Sequence, residues 1–246
     1  MPDHLQLIVA ANRDEFHGRA SLQANFWVDA PHVLAGRDEV AGGTWLGCTR
    51  NGRFAALTNF SGPGDNPAPA SRGELVQNFL VGHDTAADYA AQIEGADYAG
   101  FNLLIYDGAE LVYTSNKAPT ETLTPGFYGL SNAELGAQWP KCVQGAQRLK
   151  GLAQLAPEDL APEHAALVDL LADRAVPPDD QLPQRGRDLE MERRVAPCFI
   201  LGDEYGTRAS TVVAIFEDHI EFSEQLYAPA GKATELKNYV FDLATD

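Results

Sequence analysis

Residues 5–11 form a short apolar run with polar residues at both ends, the pattern of a buried strand. Residues 44–49 and 53–58 flank Asn51-Gly52, the strongest short signal for a hairpin, because a type I′ turn needs positive φ at both central residues. The same logic predicts a second hairpin from residues 101–106 and 111–115 around Asp107-Gly108. Between them Ser71-Arg72-Gly73-Glu74 has the form of a capping box. It opens a helix with Leu75, Val76, Phe79 and Leu80 on one face. An alanine-rich helix is expected over residues 85–93 and a short strand over 127–130.

From Pro140 onward, Val143, Ala146, Leu149 and Leu152 recur at helical spacing. A further helix is predicted over residues 162–173, with Leu167, Leu170 and Leu171 as its apolar stripe. Residues 174–190, rich in proline, aspartate and arginine, read as a long surface loop. Strands return at residues 199–201, 211–216, 219–222 and 238–243. Hairpins rather than βαβ crossovers link the strands, which predicts an α+β protein with antiparallel sheet covered by segregated helices. With no internal repeat, low-complexity tract or linker, residues 1–246 are expected to form one domain.

Composition narrows the function classes. Thirty-five acidic against 18 basic residues give a formal net charge of −17, a field that argues against nucleic acid and anionic membrane as partners. No apolar stretch approaches the roughly 20 residues of a bilayer span, and Met1-Pro2-Asp3-His4 lacks the features of a secretory signal. Cys48, Cys142 and Cys198 are odd in number and widely spaced, so no disulfide framework or CxxC site is expected. A reduced, cytoplasmic protein is the expectation. The six histidines show no metal-ligand spacing, so neither metal nor cofactor is predicted.

The densest polar cluster is Asn12-Arg13-Asp14-Glu15, at the end of the first apolar strand, where a sheet hands side chains to a cleft. A turn explains it equally well, since Asn and Asp close strands by bonding their own backbone. Asn59 and Asn132 each follow a predicted strand. Singly they read as turn residues; together they suit two amide donors aimed at one oxyanion. Arg208, before an apolar strand, is a candidate carboxylate clamp or an ordinary ion-pair partner. The glycine-rich stretch around Gly42-Gly43-Thr44-Trp45 lacks a phosphate-loop pattern, and its glycines are expected to let backbone pass close to Trp45. Cys142 and Cys198 have no adjacent base in sequence and are not read as nucleophiles.

Taken in order, Asn12-Arg13-Asp14-Glu15, Gly36-Arg37-Asp38, Gly42-Gly43-Thr44-Trp45-Leu46-Gly47, Asn51-Gly52-Arg53-Phe54, Ser71-Arg72-Gly73-Glu74, Gly129-Leu130-Ser131-Asn132 and Trp139-Pro140-Lys141 resemble the NRDE-domain family, of the transport and Golgi organisation protein 2 type. The resemblance runs nearly end to end. It implies a four-layer αββα sandwich of two antiparallel sheets, like the N-terminal-nucleophile hydrolases.

More distantly, the chain resembles the choloylglycine hydrolase and penicillin V acylase group. There an N-terminal cysteine attacks an acyl carbonyl with its own α-amine as base. Carried over, the resemblance makes Asp14 the residue that orients the amine, Asn59 and Asn132 the oxyanion donors, and Arg208 the late arginine. Asn12, Arg13, Glu15, Arg37, Trp45 and Phe60 become candidate ligand contacts. That group's arginine three residues before the aspartate is replaced here by Ala11.

Family members typically begin Met-Cys followed by an apolar strand and a turn, whereas this chain begins Met1-Pro2. The expectation is therefore an N-terminally shortened domain, inactive as given, whose full-length form acts on an amide, ester or thioester. The alternative is a carrier of acyl-coenzyme A or haem, roles associated with the family. Arg13, Arg19, Arg37, Arg50, Arg53 and Arg72 suit such an anionic ligand, or pair with the acids Asp14, Glu15, Asp38, Glu39 and Glu74. Both readings expect Asp14, Asn59, Asn132 and Arg208 to converge.

Overall fold

The structure is a computed structural model that describes residues 5–60, 68–155 and 165–244. It is an α+β protein with two antiparallel sheets, and the chain divides into two compact units. Unit 1 comprises residues 1–19 and 138–243, unit 2 residues 20–137 and 244–246.

The sheet of unit 1 has four strands in the order β1-β9-β10-β11. β1 is Leu5–Phe16, β9 Tyr205–Phe216, β10 His219–Ala228 and β11 Lys232–Asp242. β1 does not stop at Ala11 as its apolar run suggests. Backbone pairing with β9 carries it straight through Asn12-Arg13-Asp14-Glu15, so these are strand residues whose side chains alternate between faces. Pairing also lengthens β9 and β10 well beyond the predicted 211–216 and 219–222, whereas residues 199–201 form no strand. Val212, Val213, Ala214, Ile220 and Phe222 supply the buried apolar centre.

Helices α3 (Pro140–Leu155) and α4 (Ala165–Leu171) belong to this unit, α4 packing on β1 and β9 and α3 against α4. Leu167, Leu170 and Leu171 are buried as their spacing predicts, while residues 162–164 of the predicted helix lie outside the described residues. The stretch read as a loop ends in a further helix, α5 (Leu189–Val195). It is fixed by a buried pair in which Arg185 Nη2 donates to Glu192 Oε2 at 2.5 Å. Two opposite charges seven residues apart gave no apolar period to find.

Unit 2 holds a seven-stranded meander, β2 to β8 in sequence order. Its strands are β2 (Ser21–Phe26), β3 (Val33–Asp38), β4 (Leu46–Thr49), β5 (Phe54–Asn59), β6 (Phe101–Tyr106), β7 (Leu111–Ser115) and β8 (Glu121–Leu123). Two predicted features are corrected here. The predicted strand at residues 127–130 is absent, and β8 precedes it. The β4–β5 hairpin forms, but its turn is not type I′. Gly52 alone has positive φ (85°), and its N–H donates to Thr49 O while Thr49 N donates to Arg53 O, a type I turn closed by a glycine bulge.

Helix α1 (Gly73–Val81) buries Leu75, Val76, Phe79 and Leu80 on the sheet as predicted. The capping box does not form: the N-cap is Arg72 and no side chain caps the helix. Glycines 43 and 47 admit neighbouring backbone rather than Trp45. A Cβ on Gly43 would lie 2.4 Å from the Gly73 carbonyl carbon, and one on Gly47 2.9 Å from Leu34 O, with the Ala35 Cβ at 2.6 Å. Helix α2 (Ala86–Gln92) is capped by Thr85, whose side chain accepts from Asp88 N. No helix among the described residues is long and apolar enough to cross a membrane.

Candidate functional site

The polar cluster of unit 1 is organised by strand alternation. Asn12 and Asp14 share one face of β1, and Arg13 and Glu15 the other. Asn12 is a clamp. Its Nδ2 donates to Leu171 O and Cys198 O, both at 2.9 Å, and its Oδ1 accepts from Ser210 Oγ at 2.6 Å. Leu171 is the last residue of α4, so Asn12 satisfies a helix-end carbonyl and ties both α4 and the loop at Cys198 to the sheet.

Between Arg13 and Asp14 the register shifts. Arg13 pairs with Ala209 and Asp14 with Thr207, leaving Arg208 as the extra residue of a β-bulge. The bulge turns Thr207 Oγ1 onto Asp14, donating to Oδ1 at 2.6 Å while accepting from Ile200 N at 2.9 Å. Arg208 Nη1 donates to Phe16 O at 3.2 Å and Arg19 O at 2.5 Å, holding the turn that follows β1. Glu15 accepts from Phe16 N and lies 3.7 Å from Arg19 Nε.

Asp14 sits deep among its neighbours, although the residue as a whole is only partly buried. Burial raises its pKa above the usual carboxylate value; the Lys141 ammonium, the Thr207 hydrogen bond and the Arg13 charge pull it partly back. Lys141 is equally deep. Burial lowers its pKa, opposed first by the Asp14 charge, and its Nζ donates to Val195 O at 3.3 Å. Pro140 starts α3 and Lys141 follows it, so a cation stands in a helix's first turn where the macrodipole disfavours it. Helix stability does not explain this lysine, whose charge interacts instead with the Asp14 carboxyl.

Sequence reasoning missed both Lys141 and Thr207 as members of the site. The one available signal was the Trp139-Pro140-Lys141 motif. Lys141 also lies near Cys198, so that thiol has a basic neighbour after all. Burial nevertheless pushes the Cys198 pKa up to about 11, and the thiol stays protonated at neutral pH.

Asn59 and Asn132 lie in unit 2, and the fold brings them together. Asn132 Nδ2 donates to Asn59 O at 2.8 Å. Buried Asn102, hidden in the apolar run of β6, sets this up. Its Nδ2 donates to Thr58 Oγ1, Ser131 O and Ala133 O, and its Oδ1 accepts from Tyr113 OH at 2.7 Å. Phe60 adjoins them, its N–H donating to Gly100 O. Trp45 is half-buried, with its carbonyl accepting from Leu57 N.

Among the arginines of the first third, Arg19 pairs with Glu15 as the sequence suggests, while Arg50, Arg53 and Arg72 donate to backbone carbonyls. Arg37 makes a bidentate pair with Asp29 at 2.8 Å and lies over Trp27. Buried Arg53 donates to Phe79 O and Asp84 O, and Arg72 donates to Gly100 O.

Comparison with known proteins places this architecture. The family model for Transport and Golgi organisation 2 matches residues 2–229. A Transport and Golgi organization protein 2 homolog from Bos taurus is 38% identical over 240 residues, covering 89% of this chain and 86% of the relative. A homolog from Homo sapiens is 36% identical over 239 residues with the same shares covered. The Drosophila melanogaster protein is 28% identical over 246 residues, covering 91% of this chain and 87% of the relative. Motif order, coverage and identity agree, and the chain belongs to the Transport and Golgi organisation 2 family, the NRDE family of the sequence analysis.

Proposed function

We propose that Asp14 is the working end of a site like that of the cysteine N-terminal-nucleophile hydrolases. Its ligand carries an amide, ester or thioester, hydrolysed where an N-terminal cysteine supplies the nucleophile and bound without turnover by the 246-residue chain. The observation that carries this reading is the hydrogen bonding of Asp14. Thr207 occupies Oδ1, and Oδ2 has no hydrogen-bond donor among the described residues. A deep carboxylate with one oxygen open suits the orienting of an amine, the role the family resemblance gives Asp14.

Turnover needs a thiolate. The three cysteines of the chain are Cys48, Cys142 and Cys198, and burial raises the pKa of each thiol.

Octanoyl-coenzyme A is the test ligand. Calorimetry is expected to give saturable binding, and a thiol-reactive dye no released coenzyme A. Lys141→Met, which removes the cation beside Asp14, should weaken binding about tenfold, the loss of one charge-assisted contact. No saturable binding, or binding indifferent to Lys141→Met, would overturn the site; released thiol would overturn the binding-only assignment. The carrier reading predicts a saturable haem absorbance change that survives Lys141→Met. The engaged arginines of unit 2 do not favour it.

A further inference from the structure

Helix α3 carries Gly145, like Gly151, in its interior, where glycine is less favourable than alanine. No turn, cap or positive φ calls for it, and a Cβ built there would meet nothing within 4 Å. Gly145 instead forms part of the wall of a cleft in unit 1, bounded by α3, Leu170 and the segments at Asp173–Pro177 and Ala196–Cys198. The helix thus tolerates a weak residue where a side chain would fill open space.

The rest of that wall has a definite chemistry. Lys141, Gln144 and Arg148 repeat along the same helical face as Gly145, while Leu170, Pro177 and Ala196 give the cleft apolar surface. Lys141 and Arg148 are the cations of the lining and Asp173 its one acid. Arg148 Nη1 donates to Asp173 Oδ2 at 3.1 Å and to Leu170 O at 3.4 Å, with the guanidinium about half exposed. An exposed pair of this kind contributes little, so a competing carboxylate can take the guanidinium at little loss. Asp173 keeps a partner after such an exchange, because its Oδ1 accepts from Ala175 N at 2.9 Å.

We propose that this cleft is a binding site for a small carboxylate with a short apolar tail. The carboxylate bonds Arg148, the field of Lys141 reinforces it, and the tail lies over Gly145 against Leu170 and Pro177. The site lies wholly within unit 1 and shares Lys141 with the site proposed at Asp14, but it requires no acyl bond in its ligand and is tested at Gly145 and Arg148, which that site does not use.

Butyrate is the probe, titrated into 15N-labelled protein while amide shifts are followed. Saturable shifts confined to residues 140–148, 170–177 and 196–198 are expected. Gly145→Leu should abolish them while leaving the melting temperature unchanged or higher, since it fills open space and removes a helix-interior glycine. Gly145→Ala should retain binding, and Arg148→Met should weaken it about tenfold, the scale of one charge-assisted hydrogen bond. Shifts that fail to saturate, or that persist undiminished in Gly145→Leu, would overturn the proposal. If Gly145→Leu melts lower, Arg148→Met decides alone: unchanged butyrate affinity sinks the site. Octanoyl-coenzyme A binding that survives Gly145→Leu separates this cleft from the Asp14 site.

Discussion

Asn12 and Asp14 stand two positions apart on one strand face and do different things. Asn12 answers two backbone carbonyls and one hydroxyl, so Asn12→Ala should leave a helix-end carbonyl and a loop carbonyl without their donor. A loss of about 2–4 kcal/mol in urea unfolding is expected, with α4 the first element to lose amide protection. Asp14 carries a pKa raised by burial, so the folded protein holds its proton to higher pH than the unfolded chain does. By linkage, this residue's contribution to stability falls as pH rises from its ordinary value of 3.8 through the raised folded value. Asp14→Asn should remove that segment of the curve, and the wild type should lose ground against it as the pH of the urea series rises over this window. A difference that is flat, or that grows with pH in favour of wild type, would contradict the assigned shift. The spacing of these residues is legible in the sequence. Their roles are not, because Leu171, Cys198, Thr207 and Lys141 reach them from more than 120 positions away.

At the level of elements, strand pairing overrides local signals. The polar residues 12–15 look like the end of a strand, yet pairing with β9 resumes beyond the bulge at Arg208 and extends β1 to Phe16. Adjacent glycines give a direct comparison of mechanism. Gly42 has φ of 85° with open space around it, so Gly42→Ala should cost about 1–2 kcal/mol of backbone strain. Gly43 meets the Gly73 backbone at 2.4 and 2.6 Å, so Gly43→Ala must push α1 off the sheet. Its loss should exceed that of Gly42→Ala, and thermal melts of the two variants rank them. Equal losses would show that the approach of α1 is not tight. The hairpins were legible because turn chemistry is local; the missing capping box was not, since Ser71 offers an option that the approach of Gly73 to Gly43 and Thr44 leaves unused.

At the scale of the molecule, a formal charge of −17 opposes compactness. Raising the salt from ~0.01 M to ~0.15 M shortens the screening length from ~30 Å to ~8 Å, so the melting temperature should rise over that range. A fall would mean that specific ion pairs such as Arg185–Glu192 outweigh the general repulsion. The sequence by itself determined the antiparallel α+β class, the apolar faces of α1 and α4 and the motif order that marks the family, because periodicity, turn residues and composition act between near neighbours. Tertiary structure decided the reach of β1, the bulge at Arg208, the cation facing Asp14 and the unfilled space over Gly145. Each of these depends on which distant backbone comes alongside, and burial and pairing across such distances leave no period in the chain.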